Sequence, residues 1–547
     1  MARRILPRSL IFLLLSTCRD SVAPSSKPQP NPQAVSVLTQ HNDNSRTGWN
    51  DNEAALTVAN VNVQHFGEVF TVAVDDQVYA QPLVVGHVFV GGGYHNVALV
   101  ATVNNLVYAF DGDDGTLYWQ KNFTAPGMRP PQHVDMTGAC NGSYQDFSGN
   151  IGIVGTPVID QGTGTMYFVA RSTTGNAFVQ FLHAVSILDG NELAGSPMQI
   201  TATSSGNGDG SVGGVIAFDP QRQNQRQGLT LVNGTVYVTF SSHCDWGPYH
   251  GWILGYDAST LQQRIVYNDT PNGYAGGMWE SGTGMAADAA GDLYVVTGNG
   301  TVGDAGDPTN PTDRAESALK LSPSGSTLRV SSYFTPTNYQ FLNDYDLDYG
   351  GMGALLIPNS GLYLTGGKDG NLYLLNKDAM GGYAPSSNQV QQVVTLGSNA
   401  NMHCQAAYYK GSTKEFVYVW SENDPLRAIP FERASSLLSP QTQAVFSAGG
   451  PNGQSGAVLS VSSNGSQEGT GILWASYAAT GDAEHAVSPG ILRAFDANDI
   501  SKELWNNQQN SRRDAAGNYA KFAAPTIANG HVYLPTFSNR VVVYGLQ

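Results

Sequence analysis

The chain has 547 residues, a formal net charge of -16 and only 13% charged residues, with 63 glycines, 26 tyrosines and 20 phenylalanines. That length exceeds what one ordinary core holds, so the chain is either several domains or one repeating architecture. Its acidity disfavours binding to nucleic acid or an anionic membrane, and its Gly- and aromatic-rich composition favours short strands and tight turns over long helices.

Residues 1–18 read as an export signal. Arg3, Arg4 and Arg8 make a basic start, and the apolar run 10–15 is too short to span a bilayer as a helix. Leu15-Ser16-Thr17-Cys18 then resembles the bacterial lipobox, with Thr17 off-pattern before the cysteine, which offers Cys18 as a lipid anchor. Residues 19–35, containing a Pro/Ser/Asn stretch at 25–33, read as a linker, and residues 36–547 as a single domain. No later apolar segment is long enough to cross a membrane, so the expected location is periplasmic or secreted.

Cys140, Cys244 and Cys404 remain after export, which allows at most one disulfide and leaves a free thiol. Cys140 with Cys244 is one option among the pairings. His243-Cys244 and His403-Cys404 are adjacent pairs, so a soft-metal site competes with the plainer reading of buried thiols beside loop histidines. No CxxCH motif is present, so covalent c-type haem is not expected here.

From about residue 80 onward one pattern repeats. A Gly-bearing turn leads into a short β run with an aromatic at a fixed place: Phe89, Tyr167, Tyr237, Tyr294, Tyr363, Tyr418, Trp474 and Tyr533, about 55 to 78 residues apart. A second short β run precedes each, such as Gln81-Pro82-Leu83, Thr156-Pro157-Val158 and Pro525-Thr526-Ile527. A third follows most of them and ends in an Asp or Asn turn, as in VYAFDGDDGTLYW and LRAFDANDISKELW. Such units cannot bury both faces alone and must stack, and closing the stack into a ring removes its exposed edges. The expectation is an all-β, eight-bladed propeller of four-stranded antiparallel blades. Its last blade would be closed by an N-terminal strand, placed at residues 36–39, beside the C-terminal RVVVYGL.

AFDGDDGTLYW and AFDANDISKELW resemble the tryptophan-docking repeat A-x-D-x-x-x-G-x-x-x-W of PQQ-binding propellers, with Trp119 and Trp505 supplying the tryptophan. Local matches are similar to the quinoprotein alcohol dehydrogenases, whose fold holds PQQ and a calcium ion over the central funnel. Ser241-Ser242-His243-Cys244-Asp245 matches the serine-rich segment ending in a ligand Glu, so the resemblance implies Asp245 as a metal ligand and Ser242 beside the cofactor. Thr297-Gly298-Asn299 implies Asn299 as the next ligand. Asp346-Leu347-Asp348-Tyr349 implies Asp348 as ligand and catalytic base, and Gly367-Lys368-Asp369-Gly370 implies Lys368 against the quinone oxygen. Trp279 lies close to the family's tryptophan beneath PQQ, with a Gly at the stacking position, and the family's adjacent-cysteine ring has no counterpart. Gly350 stands two residues beyond Asp348, where lanthanide-dependent relatives carry an extra Asp, which favours calcium.

Carboxylate and amide oxygens suit a hard cation, and a carboxylate near a Lewis acid can accept a hydroxyl proton. The resemblance thus implies a PQQ- and calcium-dependent oxidation of an alcohol or sugar, with electrons passed to a separate acceptor such as a cytochrome. The alternative is a non-catalytic cell-envelope propeller, a scaffold or carbohydrate-binding module, because the fold serves both uses.

Overall fold

The structure is a computed structural model that describes Met1 and residues 34–547, apart from 305, 311, 398, 399, 440–443, 447–450 and 452. The export signal, the lipobox and nearly all of the linker lie outside the described residues.

Eight antiparallel sheets of four principal strands follow one another around a ring. Blade 1 runs through Leu83–Val90, Gly93–Ala101, Leu106–Asp111 and Leu117–Asn122, innermost strand first. The inner strands of blades 2 to 8 are Val158–Asp160, Thr230–Val232, Ala286–Ala287, Met352–Ile357, Ala407–Lys410, Val458–Ser462 and Thr526–Ala528. Among the described residues the one α-helix is Tyr339–Asp344. No helix there is long and apolar enough to cross a membrane.

Three of the sequence markers prove to be joints between blades. Tyr167, Tyr418 and Tyr533 lie on the second strands of blades 2, 6 and 8. Their hydroxyls donate to Ala258 O, Ala497 O and Gly112 O, each in the Asp-initiated turn that ends the third strand of the next blade. The Asp makes that turn by accepting nearby N–H groups, as Asp257 does from Ser259 and Thr260. Trp119 docks similarly: its Nε1 donates to Ile187 O at 3.0 Å while its ring covers Gly190. A Cβ on Gly190 would lie 2.7 Å from that ring, and its φ of +67° independently favours glycine. Trp505 packs edge-on against Phe66 and Tyr544 of blade 8.

Two expectations are corrected. Phe89 is not on a second strand: it ends the long inner strand of blade 1 and is 59% exposed. Leu99 fills the equivalent place, facing Leu83 as Tyr167 faces Val158 and Tyr533 faces Thr526. The closing strand is not 36–39 but Phe66–Ala73, paired antiparallel with Arg540–Leu546.

Residues 37–50 instead form a belt that crosses every inner strand in turn. Val37 pairs with Val84, and Leu38 O accepts from Ile159 N. Asn44 Nδ2 donates to Leu231 O, and Asn44 O accepts from Ala287 N. Ser45 O, Thr47 O and Gly48 O accept from Leu356, Tyr408 and Val461, and Asn50 Nδ2 donates to Ile527 O. Blades 1 to 8 are thus tied by one short segment that floors the central hole. Arg46 is its hub, fully buried, its guanidinium donating to the carbonyls of Gln40, Leu229 and Met285 and to the hydroxyls of Thr39 and Thr230. His41, also buried, bridges Arg46 O and Leu459 O.

Arg46→Met removes all five bonds and leaves Gln40 O without its donor, while Met285 O and Leu229 O keep the Thr230 and Thr39 hydroxyls; a buried orphaned acceptor costs roughly 1–3 kcal/mol. Urea denaturation should show several kcal/mol of lost stability, on the order of 3–5. Burial pushes the His41 imidazole down from its ordinary value to about 4. Burial outweighs the two carbonyl acceptors, which favour the charged ring, so the folded state prefers neutral His41. Its contribution is complete above the ordinary His value of roughly 6.5 and lost as pH falls through about 4. His41→Asn should flatten the acid limb of a thermal-stability profile across that window.

Candidate functional site

The inner strands start at one face of the ring, and the residues leading into them converge. The fourth residue before each inner strand lines a single hollow: Tyr79, Val154, Arg226 and Gly282 in blades 1 to 4, then Asp348, His403, Gln454 and Phe522 in blades 5 to 8. Turns leaving the second strands add Cys244, Asp245 and Lys368, and the long connection between blades 1 and 2 adds Cys140, Tyr144, Asp146 and Phe147. The hollow encloses about 200 Å³ and is partly open to solvent.

Of the residues singled out in the sequence, Asp245, Trp279, Asp348 and Lys368 line this hollow. Asn299 sits just behind, in a neighbouring cleft that shares Asp245. Ser242 does not reach the hollow: it is buried and its hydroxyl turns to Trp246 O at 3.3 Å. Asp348 Oδ1 accepts the Asn299 N–H at 2.8 Å, and Oδ2 pairs with Lys368 Nζ at 2.6 Å. Lys368 Nζ also contacts Asp346 Oδ1 at 2.9 Å, and Asn299 Nδ2 donates to the same oxygen at 2.7 Å. Tyr249 OH donates to Asp245 Oδ1 at 2.5 Å.

The electrostatics follow from crowding three aspartates into a shielded space. Burial, and then Asp348, push Asp245 up to about 6. Burial would raise Asp348 as well, but the Lys368 ammonium and the Asn299 N–H outweigh it and hold Asp348 below the usual carboxylate range. Lys368 is raised because Asp348 and Asp346 overcome its desolvation. Glu316, buried behind and donated to by Tyr349 N, is pushed well up by burial and by Asp348.

The donor chemistry fits a hard cation. Asn299 Oδ1 is buried without a hydrogen-bond partner beside Asp245 and Asp348, and an amide oxygen with two carboxylates is a typical oxygen-ligand set. Among the described residues, no group of three or more His, Cys, Asp or Glu side chains could hold a metal ion. Trp279 Nε1 is likewise buried and partnerless.

The soft-metal option is overturned. Cys244 is joined to Cys140, with Cα atoms 5.4 Å apart, and that disulfide lies in the wall of the hollow beside Asp245. Cys404 is buried, its thiol pushed up to about 12 by burial, and its neighbour His403 pairs with Glu422 at 2.7 Å. The sequence also missed Asp346, Arg226, Lys521 and Tyr144. A usable signal existed for Arg226: it holds the same place before its inner strand as Asp348 does before its own.

No family model matches the chain, and no curated protein matches it in sequence. Solved structures do match its fold. The quinohemoprotein alcohol dehydrogenase of Pseudomonas putida HK5 superposes with a TM-score of 0.56 at 12% identity, covering 93% of this chain and 80% of that one. That of Comamonas testosteroni gives 0.54 at 14% identity, with the same coverage of 93% and 80%. A europium-containing methanol dehydrogenase gives 0.61 at 11% identity, covering 94% of this chain and 98% of that one. The fold is that of the quinoprotein dehydrogenase-like propellers.

Gly298 is packed so that a Cβ would fall 2.3 Å from Asp348 Oδ1 and 2.7 Å from Trp279 Cδ1. Gly298→Ala should therefore displace both side chains. The expected result is Trp fluorescence shifted from that of the parent protein.

Proposed function

We propose that this chain is an exported dehydrogenase that oxidises an alcohol or sugar hydroxyl with PQQ and calcium and delivers electrons to a separate acceptor such as a cytochrome. The observation that carries the reading is convergence. Asp245, Asp348 and Lys368 come from blades 3 and 5 and meet at one hollow, with Asn299 of blade 4 just behind them. The fold shared with alcohol and methanol dehydrogenases supports it without deciding activity. The disulfide supports export to an oxidising compartment.

Asp245, Asn299 through Oδ1, and Asp348 would hold the calcium, and Trp279 would lie against the quinone. The bound groups would supply a two-electron acceptor and a Lewis acid. Asp348, kept ionised by Lys368, accepts the substrate hydroxyl proton at its carboxylate. Lys368 stays charged throughout, because Asp346 holds its ammonium as Asp348 is neutralised, and it presents hydrogen bonds to oxygen atoms that gain negative charge. Tyr249 fixes the orientation of Asp245.

A second reading, a carbohydrate-binding propeller without chemistry, has one observation of its own. Phe341 and Tyr345 are exposed with ring centroids 4.6 Å apart, next to Asp346 at the rim, an apolar ledge of the kind sugars stack on.

Purified protein incubated with PQQ and calcium should acquire quinone absorbance and reduce a dye in the presence of an alcohol or sugar. Asp348→Asn should lower that rate by roughly 10²–10⁴ while the absorbance persists. Sugar binding in a protein that takes up no quinone would select the second reading.

A further inference from the structure

We infer that the hollow binds a carboxylate-bearing ligand, gripped by Arg226 and Lys521 and by a hydrogen bond donated from Tyr144. The inference concerns the same hollow as the redox reading but requires no redox step.

Arg226 and Lys521 both line the hollow, opposite in character to the aspartates of blades 3 to 5. Among the described residues neither has a carboxylate within ion-pair distance. Arg226 Nε donates to Trp279 O at 3.2 Å, and its guanidinium lies between Phe522, 4.6 Å from the ring centre, and Trp279, 5.3 Å away. Those rings hold it flat and keep it from swinging to the carboxylates. Lys521 is buried, and its ammonium donates to the Glu484 carbonyl. Burial lowers both groups from their ordinary values, Lys521 to about 8. Asp146 and Glu484 share the lining and act on these cations through space, but neither is within ion-pair distance of them, so two shielded cations face the cavity without a direct ion-pair partner, which suits an anion.

Tyr144 joins them through a tautomer argument. Its hydroxyl is 2.9 Å from His243 Nδ1, and His243 Nε2 is 3.2 Å from Arg171 Nη1. A guanidinium only donates, so Nε2 must accept. With Nε2 accepting, the ring proton sits on Nδ1 and is donated to the Tyr144 oxygen. The Tyr144 hydrogen is then free to point into the hollow that the side chain lines. Cys140–Cys244 clamps this arrangement, joining the connection that carries Tyr144 to the residue next to His243. The matching acceptor is a carboxylate, which could belong to a quinone cofactor or to a hydroxy-acid substrate.

Calorimetric titrations with PQQ, its trimethyl ester, glycolate and ethylene glycol separate the cases. A preference for PQQ over its ester places the carboxylate on the cofactor, and a preference for glycolate over ethylene glycol places it on the substrate. Arg226→Gln and Lys521→Met should each weaken the preferred anion roughly 10- to 100-fold. Tyr144→Phe should weaken it about fivefold, and ¹⁵N spectra should show His243 protonated on Nδ1. Unchanged melting of the unliganded variants establishes that they fold. Anions that bind no better than their neutral partners, no anion binding at all, or variants that leave anion affinity intact would overturn the inference. Anion binding without dye reduction would sink only the redox reading.

Discussion

The belt at residues 37–50 is the constraint on which the rest of the architecture depends. A propeller blade is held by its two neighbours alone, so a ring of eight can open at any joint. The belt gives every inner strand a partner that no neighbouring blade supplies, and it does so with backbone groups that would otherwise face an empty channel. Charged and polar side chains fill the middle because the segment must turn a full circle within the hole. Its inward side chains find their partners in one another, in carbonyls at the inner strands and in a few polar side chains such as Thr230 and Gln405. Arg46 answers that geometry: five donors in a rigid fork meet a converging set of carbonyl and hydroxyl oxygens.

Flooring the hole has a consequence for function. The inner strands all begin at the mouth, and the belt crosses them farther along, so the hollow opens at one end. Gln405 couples the two layers, its amide donating to Ser281 O and Phe522 O while its oxygen accepts from Gln40 of the belt. Phe522, which packs on Arg226, is thus supported directly by the floor.

The fold was largely legible in the sequence because its repeat is written in residues with a mechanical job. The tyrosines and Asp turns are joint pieces, and any blade that keeps them announces itself. Phe89 misled because an aromatic after a Gly turn records a strand, not which strand: the inner strand of blade 1 runs on to Val90 and carries the pattern past its usual place. The closing strand was invisible for another reason. Phe66–Ala73 pairs with the far end of the chain, and nothing in FGEVFTVA names its partner. The aspartates were legible because turn motifs carry them. Tyr144, Lys521 and the disulfide were not, since their roles come from blades far apart in sequence meeting at one mouth.

The hollow is most informative in what it fails to neutralise. Burial pushes Asp245 up and Lys521 down, though both line one cavity. Direct pairing across the space would relieve both, yet Arg226 is pinned between Trp279 and Phe522, and Lys521 is tethered to the Glu484 carbonyl. Only Lys368 crosses to the aspartates, and two of them share it. Keeping opposite charges apart in a shielded site costs stability, and such a cost persists where a ligand bridges the gap when bound. On the proposed reading, a molecule bridging the gap would carry negative charge toward Arg226 and Lys521 and positive charge, its own or a cation's, toward Asp245 and Asn299. A neutral sugar meets neither demand, whereas an anionic ligand accompanied by a hard cation meets both.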